Sequence, residues 1–524
     1  MPLSLSPTTG CTPAQGYDAI VVGAGAAGCV VAARLSEDPA MRVLLVEAGP
    51  DGRADPAIDD AAHWDRLLGG AYDWGYRSEP ADAVRGRSLA MPRGRVLGGS
   101  SSTNAMLWYR GHPDDYDAWA DAGAAGWSYA DLLPYFRRSE ARAGGDPAHR
   151  GIDGPMRVAP LARVHPIAHA LLGAAAERGL PVLDDANAGA NEGAVYADYN
   201  AVETPAGFER WSVVRAYLEP ALARANLDVL VGSRVHGVVV EGTSVRGIRH
   251  VVDGELIETS ASRTILCAGA IDTPRLLQLS GIGDPTRLAA AGIRVRHDLP
   301  GVGENFQDHP LILGMNFRAR ADLGPVIGNG GGTMLNWRSS QARGRPDLHA
   351  VIAHGSRGDE ALHAAHDLSG ERVFAIVPGL YHSRSVGWVR VRSADPDAAP
   401  AVQPNYLADP ADLAAMVDAV DAVQDLVAAS AYAELAEGPI TPAAGLSRAE
   451  QEGFVRENVG TFFHCSGTAR IGTDELAVVD PSLRVRGLDG LWVADASVMP
   501  AIPTSNTQAP TIAIAERATD LLRA

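Results

Sequence analysis

The stretch YDAIVVGAGAAG at residues 17–28 constrains the fold of this chain more strongly than any other part of its sequence. Its apolar first half is typical of a buried parallel strand, and Gly23, Gly25 and Gly28 follow in GxGxxG spacing. The residues CVVAARLSED then predict a helix, and the segment 41–49, MRVLLVEAG, predicts a second buried strand. Together these segments predict a complete βαβ unit at the start of an α/β fold.

This unit indicates a dinucleotide ligand. The glycines permit a tight turn and allow a pyrophosphate to approach the N-terminus of the helix. Glu47 lies about 20 positions after Gly28, where an acidic residue binds the ribose hydroxyls of an adenosine. The flanking strand and helix make the motif specific, although a glycine-rich turn without a ligand is the structural alternative. The motif alone leaves both NAD and FAD open.

The amino-acid composition excludes several classes of function. The formal net charge of −18 opposes nucleic-acid binding, which needs clustered positive charge. All 45 basic residues are arginine, so neither a lysine Schiff base nor the lysine of a P-loop can form. The sequence has no run of about 18 apolar residues, and we therefore expect no membrane span.

The four cysteines, Cys11, Cys29, Cys267 and Cys465, are scattered without a CxxC pair. This spacing argues against a disulfide scaffold and against a zinc site, and we predict no metal site. It favours a reducing compartment, so we expect a cytoplasmic protein. Residues 1–14 lack the basic start and apolar core of a secretory signal, and we expect a loose tail there.

The rest of the chain alternates between two characters. Residues 92–104, PRGRVLGGSSSTN, predict a loop of small residues that suits backbone contact with a flat ligand. Residues 264–270 predict a buried strand, followed by a helix with Pro274 near its start, and 490–497 predict another strand. Residues 311–460 combine short strands and helices without a nucleotide motif. We therefore expect a second domain that is built from insertions into the first.

Six segments, in their order along the chain, resemble the glucose-methanol-choline (GMC) family of flavin-dependent oxidoreductases. They span nearly the whole chain, which makes the combination highly specific. Within the family, FHCSGTARIG and IPTSNTQAP are most similar to members of the hydroxymethylfurfural-oxidase and aryl-alcohol type, followed by choline-dehydrogenase-like members. The segments are YDAIVVGAGAAG with LLVEAG, GRVLGGSSSTNAMLWYRGHPDDYD, GAIDTPRLLQLSGIG, LPGVGENFQDHP, FHCSGTARIG and VADASVMPAIPTSNTQAPTIAIAERA.

The resemblance implies a Rossmann-like FAD-binding domain interleaved with an α+β substrate-binding domain. Family members that tether FAD covalently look to have histidine where this chain has Thr103. We therefore expect FAD to be bound without a covalent link. The expected FAD-binding domain comprises residues 15–160, 205–310 and 463–524, and the expected substrate-binding domain comprises residues 161–204 and 311–462.

The same resemblance implies which residues hold FAD. Asp495 is expected near the pyrophosphate or the ribityl chain, and the backbone of Val235 is expected to contact the adenine. A helix that begins near Pro510 would direct its N-terminus at the reduced flavin, whose negative charge its dipole favours. The expected FAD-binding residues are Gly23, Gly25, Ala26, Ala27, Gly28, Glu47, Ala48, Arg95, Gly98, Gly99, Ser100, Asn104, Val235, Ala268, Gly269, Asp495, Ala496, Thr507 and Gln508.

The resemblance also implies a reaction: oxidation of a primary alcohol, aromatic or allylic, to the aldehyde by hydride transfer to flavin N5. The electrons then pass to O2 or to another acceptor. His464 matches the family's catalytic histidine, and an imidazole suits a base that works near neutral pH. Asn506 matches the residue that holds the substrate oxygen. Phe463 and Trp108 are candidates for the wall of the substrate pocket, with a plain core role as the alternative.

Other functions stay open at this point. A related lyase of the hydroxynitrile type, a light-driven fatty acid decarboxylase and a flavin-free binding protein are the alternatives. A hydrolase is disfavoured because the sequence has no GxSxG motif. Cys465 follows His464 directly, so on an extended segment the two side chains point to opposite faces. We therefore expect Cys465 to be a packing residue.

Overall fold

The computed structural model describes residues 16–205, 207–370 and 372–523 of the chain. The predicted tail at 1–14 and Cys11 lie outside the described residues. Two large β-sheets, each packed against helices, form the framework of the described part. None of the described helices is long and apolar enough to cross a membrane.

The first sheet contains the predicted βαβ unit. Strand Tyr17–Val22 lies between Val43–Val46 and Glu255–Leu266 and pairs with both in parallel. Helix Ala26–Leu35 joins the first two strands and is buried along most of its length. This confirms the α/β fold that the sequence predicts. The strands of this sheet are Tyr17–Val22, Val43–Val46, Leu227–Leu230, Val235–Glu241, Ser244–Val252, Glu255–Leu266 and Leu491–Val493.

The second sheet is mainly antiparallel, and its strands come from other parts of the chain. They are Val182–Leu183, Gly193–Tyr196, Pro310–Ile312, Asn316–Ala319, Thr333–Trp337, Leu348–His354, Val373–Leu380, Ala436–Thr441 and Val459–Thr461. The strands of the two sheets thus alternate along the sequence in blocks. This alternation supports the predicted interleaved domains, whose boundaries stay a prediction.

The helices cover the two sheets and the segments between them. The α-helices are Ala26–Leu35, Pro56–Asp59, Pro113–Asp121, Tyr129–Ser139, Pro166–Glu177, Glu219–Ala221, Gly269–Leu279, Pro285–Ala290, Glu360–Ala365, Pro410–Val427, Arg448–Asn458 and Gln508–Arg523. Short 3-10 helices span Ala61–Leu67, Asp82–Val84, Gly99–Ser102, Ser430–Tyr432 and Ala496–Val498, and a π-helix spans Val214–Leu218.

Small two-stranded sheets complete the described part. Their pairs are Ala201–Thr204 with Gly207–Arg210, Ile282–Gly283 with His297–Asp298, Trp388–Arg390 with Ala401–Gln403, Glu140–Ala141 with Met156–Arg157, and Ala159–Pro160 with Asp198–Tyr199.

The helix Gly269–Leu279 differs from its prediction in one respect. It begins earlier than expected, so Pro274 lies inside the helix and not near its start. A proline in a helix cannot donate to the carbonyl oxygen four residues before it, here that of Ala270. The hydroxyl of Thr468 donates a hydrogen bond to this oxygen at 2.7 Å. The segment after His464 thus replaces the missing bond and is tied to the helix.

Candidate active site

One cavity of about 460 Å³ runs from the glycine-rich turn of the first sheet to His464. Most of the residues that the sequence singles out line it. They are Gly23, Gly25, Ala26, Ala27, Glu47, Ala48, Gly99, Ser100, Asn104, Val235, Ala268, Gly269, Phe463, His464, Asp495, Ala496, Asn506, Thr507 and Gln508. Residues as far apart in the sequence as Gly23 and Gln508 therefore share one wall.

The glycines at the nucleotide end make room where the backbone segments approach closely. Gly23 has a φ of 94°, and a Cβ there would lie 2.6 Å from the carbonyl oxygen of Cys267. A Cβ on Gly99 would lie 2.8 Å from the Cα of Gly25. By contrast, a Cβ on Gly25 would meet no atom within 4 Å. The open side of Gly25 faces the cavity, which is where a pyrophosphate would lie.

Glu47 lies at the carboxyl end of its strand and turns its side chain back to the glycine turn. Its carboxylate accepts hydrogen bonds from the backbone N–H groups of Ala24 at 2.9 Å and Gly49 at 2.8 Å. Burial raises the pKa of Glu47 to about 7, against the effect of these two bonds. The carboxylate is thus held rigidly beside the cavity, in the position expected for a ribose contact.

Asp495 anchors a second edge of the cavity. Its carboxylate accepts hydrogen bonds from the Gly269 N–H at 2.8 Å, the Thr273 hydroxyl at 2.6 Å and the Ser497 N–H at 2.8 Å. Burial raises its pKa despite these bonds. Asp495 therefore joins the start of the helix Gly269–Leu279 to the C-terminal part of the chain.

The C-terminal helix begins at Gln508 and presents its first residues to the cavity. Asn104 donates a hydrogen bond to the Gln508 side-chain oxygen, and Arg210 donates to Asn104 Oδ1 at 2.7 Å. The Gln508 Nε2 atom is buried and has no hydrogen-bond partner within the described part of the chain. A buried, unused donor of this kind needs an acceptor, which a bound ligand would supply.

His464 and Asn506 meet at the other end of the cavity. The Asn506 amide nitrogen lies 3.1 Å from His464 Nε2, and the opposite ring nitrogen, Nδ1, lies 2.9 Å from Nδ1 of His309. When Asn506 donates to Nε2, this atom is unprotonated and Nδ1–H donates to His309. The Asn506 amide thus occupies the lone pair of Nε2, and a substrate hydroxyl would reach this lone pair by displacing the amide.

A buried aspartate fixes the backbone on both sides of this histidine pair. Asp308 Oδ1 accepts hydrogen bonds from the N–H groups of His464 at 2.7 Å and His309 at 2.9 Å. Its other oxygen accepts from the hydroxyls of Tyr406 and Thr461, both at 2.5 Å. One carboxylate thus positions the two segments that carry the histidines.

The loop that carries Asn506 is held in a similar way. Asp115, in the helix Pro113–Asp121, accepts hydrogen bonds from the N–H and the hydroxyl of Thr504 at 2.8 and 2.6 Å. The Asn191 amide also donates to the Thr504 carbonyl at 3.3 Å. These contacts hold the chain two residues before Asn506, so its amide is preorganised toward His464.

Phe463 lies on the cavity wall in a strained conformation. Its φ is 67°, a region that non-glycine residues rarely adopt. The Thr461 hydroxyl accepts a hydrogen bond from its N–H at 2.7 Å, and Arg93 donates to its carbonyl at 2.5 Å. These contacts hold the turn that directs the next residue, His464, into the cavity.

Comparison with known proteins places the chain in a family. The N-terminal GMC oxidoreductase domain matches residues 17–311 and the C-terminal one matches residues 383–515. The chain is a GMC oxidoreductase. The match covers more than half of the sequence and both ends of the cavity.

Individual relatives agree with this placement. Mitochondrial choline dehydrogenase of Homo sapiens is 38% identical over 97% of this chain and 90% of its own length. The crystal structure of pyridoxine 4-oxidase from Mesorbium loti matches with a TM-score of 0.92 and 35% sequence identity. The match covers 96% of this chain and 98% of that chain. A formate oxidase variant of Aspergillus oryzae, studied for its FAD modification, matches with a TM-score of 0.89 and 25% sequence identity. This match covers 98% of this chain and 99% of that chain.

This GMC oxidoreductase is an FAD-dependent enzyme that acts on CH–OH donors. The residues present fit the cofactor, because the cavity is continuous and glycines open its nucleotide end. Beside its other end, the buried atoms Asn506 Oδ1 and Gln508 Nε2 have no hydrogen-bond partner among the described residues. Thr103 also lines the cavity, at the position where the resemblance implies a histidine in members that tether FAD covalently. Non-covalent binding stays a prediction.

Four of the predicted site residues of this GMC oxidoreductase lie outside the cavity wall. Trp108 is fully buried in the core, and its indole N–H donates to Glu140 at 2.8 Å, so the pocket-wall prediction is wrong. The Arg95 side chain is exposed and stacks on Trp74, with 5.2 Å from its guanidinium carbon to the ring centroid. Gly28 and Gly98 are buried behind the wall, where they serve backbone packing.

The sequence analysis missed His309 and Asp308 as site residues. Both lie in the segment LPGVGENFQDHP, which contains two side chains able to bind a second histidine or its backbone. The presence of an aspartate and a histidine in this segment could have indicated a site. The spacing of the segment along the sequence, however, does not indicate that it lies beside His464. Cys465 is buried in an apolar cluster, and burial raises the pKa of its thiol to about 12. It also lines the cavity together with His464, so the two side chains are not separated onto opposite faces as expected.

Buried histidines, three of them near the active site, should make this GMC oxidoreductase unstable in acid. Burial lowers the pKa of His309 and His464 well below the usual range, and lowers the pKa of His349 to about 3. Below about pH 6.5 the unfolded chain takes up protons at these positions and the folded chain does not. The free energy of unfolding should therefore fall by up to about 1.4 kcal/mol per pH unit for each histidine.

Denaturant titrations at pH 7.5, 6.5 and 5.5 measure this slope. We expect His349→Leu to flatten it, since His349 lies between the rings of Tyr381 and Phe462 and neither of its nitrogens has a hydrogen-bond partner within the described residues. The exposed His363 gives the matched control, His363→Leu. Equal slopes in the wild type and in His349→Leu would contradict the prediction.

Proposed function

We propose that this enzyme oxidises a primary alcohol, aromatic or allylic, to the aldehyde, with His464 as the base. The contact between His464 Nε2 and the Asn506 amide, 3.1 Å apart at the cavity wall, is the observation that carries this proposal. A substrate hydroxyl that replaces this direct contact donates its hydrogen bond to Nε2 and accepts one from the displaced amide. When FAD is bound, it supplies the acceptor for the hydride that leaves the carbinol carbon.

The protonation state of His464 suits this role. Burial lowers its pKa, and the nearby His349 ring and the Arg93 guanidinium lower it further. The imidazole is therefore neutral at neutral pH and can accept the hydroxyl proton. Because Asn506 is neutral, its amide stabilises the developing alkoxide without competing for that proton. In this tautomer His309 accepts a hydrogen bond from Nδ1–H of His464, which keeps Nε2 as the reactive nitrogen.

The wall next to this pair supports a substrate with an apolar body. Leu311, Leu313, Val351, Val377 and Phe462 line the cavity close to the chain segments that carry the two histidines. Such a surface binds a flat or unsaturated carbon skeleton through apolar contact. It supports an aromatic or allylic alcohol better than a small hydrophilic one.

Anaerobic spectroscopy tests the proposal. The purified holoenzyme is mixed without oxygen with benzyl alcohol, cinnamyl alcohol, choline and pyridoxine, and the flavin absorbance near 450 nm is followed. We expect bleaching by at least one aromatic or allylic alcohol. Rapid recovery in air then indicates an oxidase, and slow recovery indicates a dehydrogenase with another acceptor. If no alcohol bleaches the flavin, alcohol oxidation is wrong and a lyase or light-driven reaction is favoured.

A further inference from the structure

A second hollow of about 360 Å³ adjoins the active-site cavity and shares Asp65, Asn329, Gly330 and Arg357 with its wall. We call this hollow the vestibule. Its charged and titratable side chains are His63, Asp65, Arg66, His354 and Arg357. The protein as a whole carries a formal charge of −18, yet the vestibule is lined by two arginines and only one acidic residue. The local charge thus opposes the overall charge.

Arg357 is held in place where the vestibule meets the cavity. Its backbone N–H donates to Asn316 Oδ1 at 2.8 Å, and the Asn316 amide donates to the Arg357 carbonyl at 2.8 Å. Its guanidinium donates to the Ser356 carbonyl at 2.8 Å. The backbone is thereby fixed on both sides, so the guanidinium is presented to the cavity by a rigid support.

The charge of Arg357 is only weakly compensated by its surroundings. The Asp65 carboxylate lies 3.9 Å away, too far for a hydrogen bond, and its side chain is 46% exposed against 25% for Arg357. Burial lowers the pKa of Arg357, whereas Asp65 opposes that effect. Apart from the bond to Ser356, the guanidinium donors of Arg357 have no hydrogen-bond partner among the described residues. A half-buried guanidinium of this kind, with a distant and solvated carboxylate nearby, is suited to bind an added carboxylate in bidentate fashion.

An apolar stretch of wall separates Arg357 from His464. Val351 and Ala353 lie on the strand Leu348–His354, which leads directly to Arg357. Phe462 contributes from the segment next to His464. A ligand that fills this space therefore meets a base at one end, apolar side chains along its body, and a cation at the other end.

We propose that the physiological alcohol carries a carboxylate at the end opposite its hydroxyl, and that Arg357 binds this carboxylate. The inference rests on the proposed function and adds the class of substrate. A carboxylate fits better than a phosphate because the second charge of a phosphate would face Asp65. The same cation repels a quaternary ammonium group, so the 38% identity with choline dehydrogenase does not extend to choline as the preferred substrate.

Three alcohols of similar shape test the inference: 4-(hydroxymethyl)benzoate, benzyl alcohol, and 4-(hydroxymethyl)benzyl trimethylammonium. We expect the wild type to show kcat/KM for the carboxylate about 10- to 100-fold above that for benzyl alcohol, as for a hydrogen-bonded charge pair. The trimethylammonium compound should be the poorest of the three. No preference for the carboxylate over benzyl alcohol in the wild type would overturn the inference.

Variants of Arg357 identify the group responsible. Arg357→Gln should bring the carboxylate-to-neutral ratio close to one, and Arg357→Glu should favour the trimethylammonium compound. The matched control is Arg294→Gln, which removes one positive charge from an exposed loop outside both hollows and should keep the wild-type ratio. A wild-type ratio in Arg357→Gln would overturn the assignment.

A binding measurement separates this inference from the proposed reaction. Calorimetric titration with 4-methylbenzoate, which has no hydroxyl to oxidise, reports the carboxylate site alone. We expect Arg357→Gln to weaken this binding at least 10-fold and Arg294→Gln to leave it unchanged. Binding that depends on Arg357 without bleaching by any alcohol would reject the reaction but keep the anion site. Flavin bleaching by an alcohol, together with 4-methylbenzoate binding that is unchanged in Arg357→Gln, would reject the anion site but keep the reaction.

Discussion

The His464→Ala variant should oxidise alcohol about 10²- to 10⁴-fold more slowly than the wild type, which is the contribution expected of a general base, and should still bind FAD. The loss follows because the Asn506 amide, 3.1 Å from Nε2, can hold the substrate oxygen but cannot accept its proton. Anaerobic stopped-flow measurement of flavin reduction gives the effect on the chemical step. The visible spectrum of the purified variant reports whether the cofactor is retained.

The control for this variant is His363→Ala, at an exposed position in the helix Glu360–Ala365. It should reduce the flavin at the wild-type rate. His464→Ala leaves His309 without the partner at 2.9 Å, so the melting temperature is measured in parallel. Flavin reduction by His464→Ala within a few-fold of the wild type, in a folded and yellow protein, would show that another group is the base.

The Gly28→Ala variant should fail to form a stable FAD-binding domain. A methyl group there would lie 1.8 Å from the carbonyl oxygen of Gly23 and 3.3 Å from Cys267. The strand and helix would have to move apart, which we expect to cost at least about 3 kcal/mol, the upper range for overpacking. Denaturant unfolding of the apoprotein measures this loss, and yield of yellow protein measures its effect on FAD.

Gly25→Ala gives the matched comparison three residues away. No atom lies within 4 Å of a Cβ at this position, so the apoprotein should unfold like the wild type. The methyl group would occupy the open side of the turn, and we expect FAD to bind at least about 10-fold more weakly. Equal stability of the two apoprotein variants would contradict the different packing roles assigned to Gly25 and Gly28.

The local patterns of the sequence were sufficient for the first βαβ unit and the GMC fold. A GxGxxG motif between an apolar run and a helix predicts the local backbone geometry, because the turn requires glycine wherever two backbone segments approach closely. His464 and Asn506 were also found by their motifs, and the structure brings them together. Their catalytic roles stay a prediction.

Long-range packing explains what the sequence did not reveal. Trp108 looked like a pocket aromatic, yet its indole is turned into the core by the hydrogen bond to Glu140. His309 precedes His464 by 155 positions, and strand pairing of Pro310–Ile312 with Val459–Thr461 brings them into contact. Arg357 has no motif at all and reaches the cavity only because the second sheet carries it there.

The strand Leu491–Val493 has a consequence for how the enzyme matures in the cell. It pairs with Thr264–Leu266 and completes a sheet whose first strand begins at Tyr17. Pairing between strands so far apart in the sequence makes folding slow. It also leaves the earlier strands unpaired on this side until residues 491–493 have been synthesised. Asp495, Asn506 and Gln508 are also synthesised after the rest of the cavity wall that precedes them in the sequence. A ribosome that has not yet translated residues 491–508 therefore carries no finished flavin site, so FAD binding has to follow the synthesis of this segment.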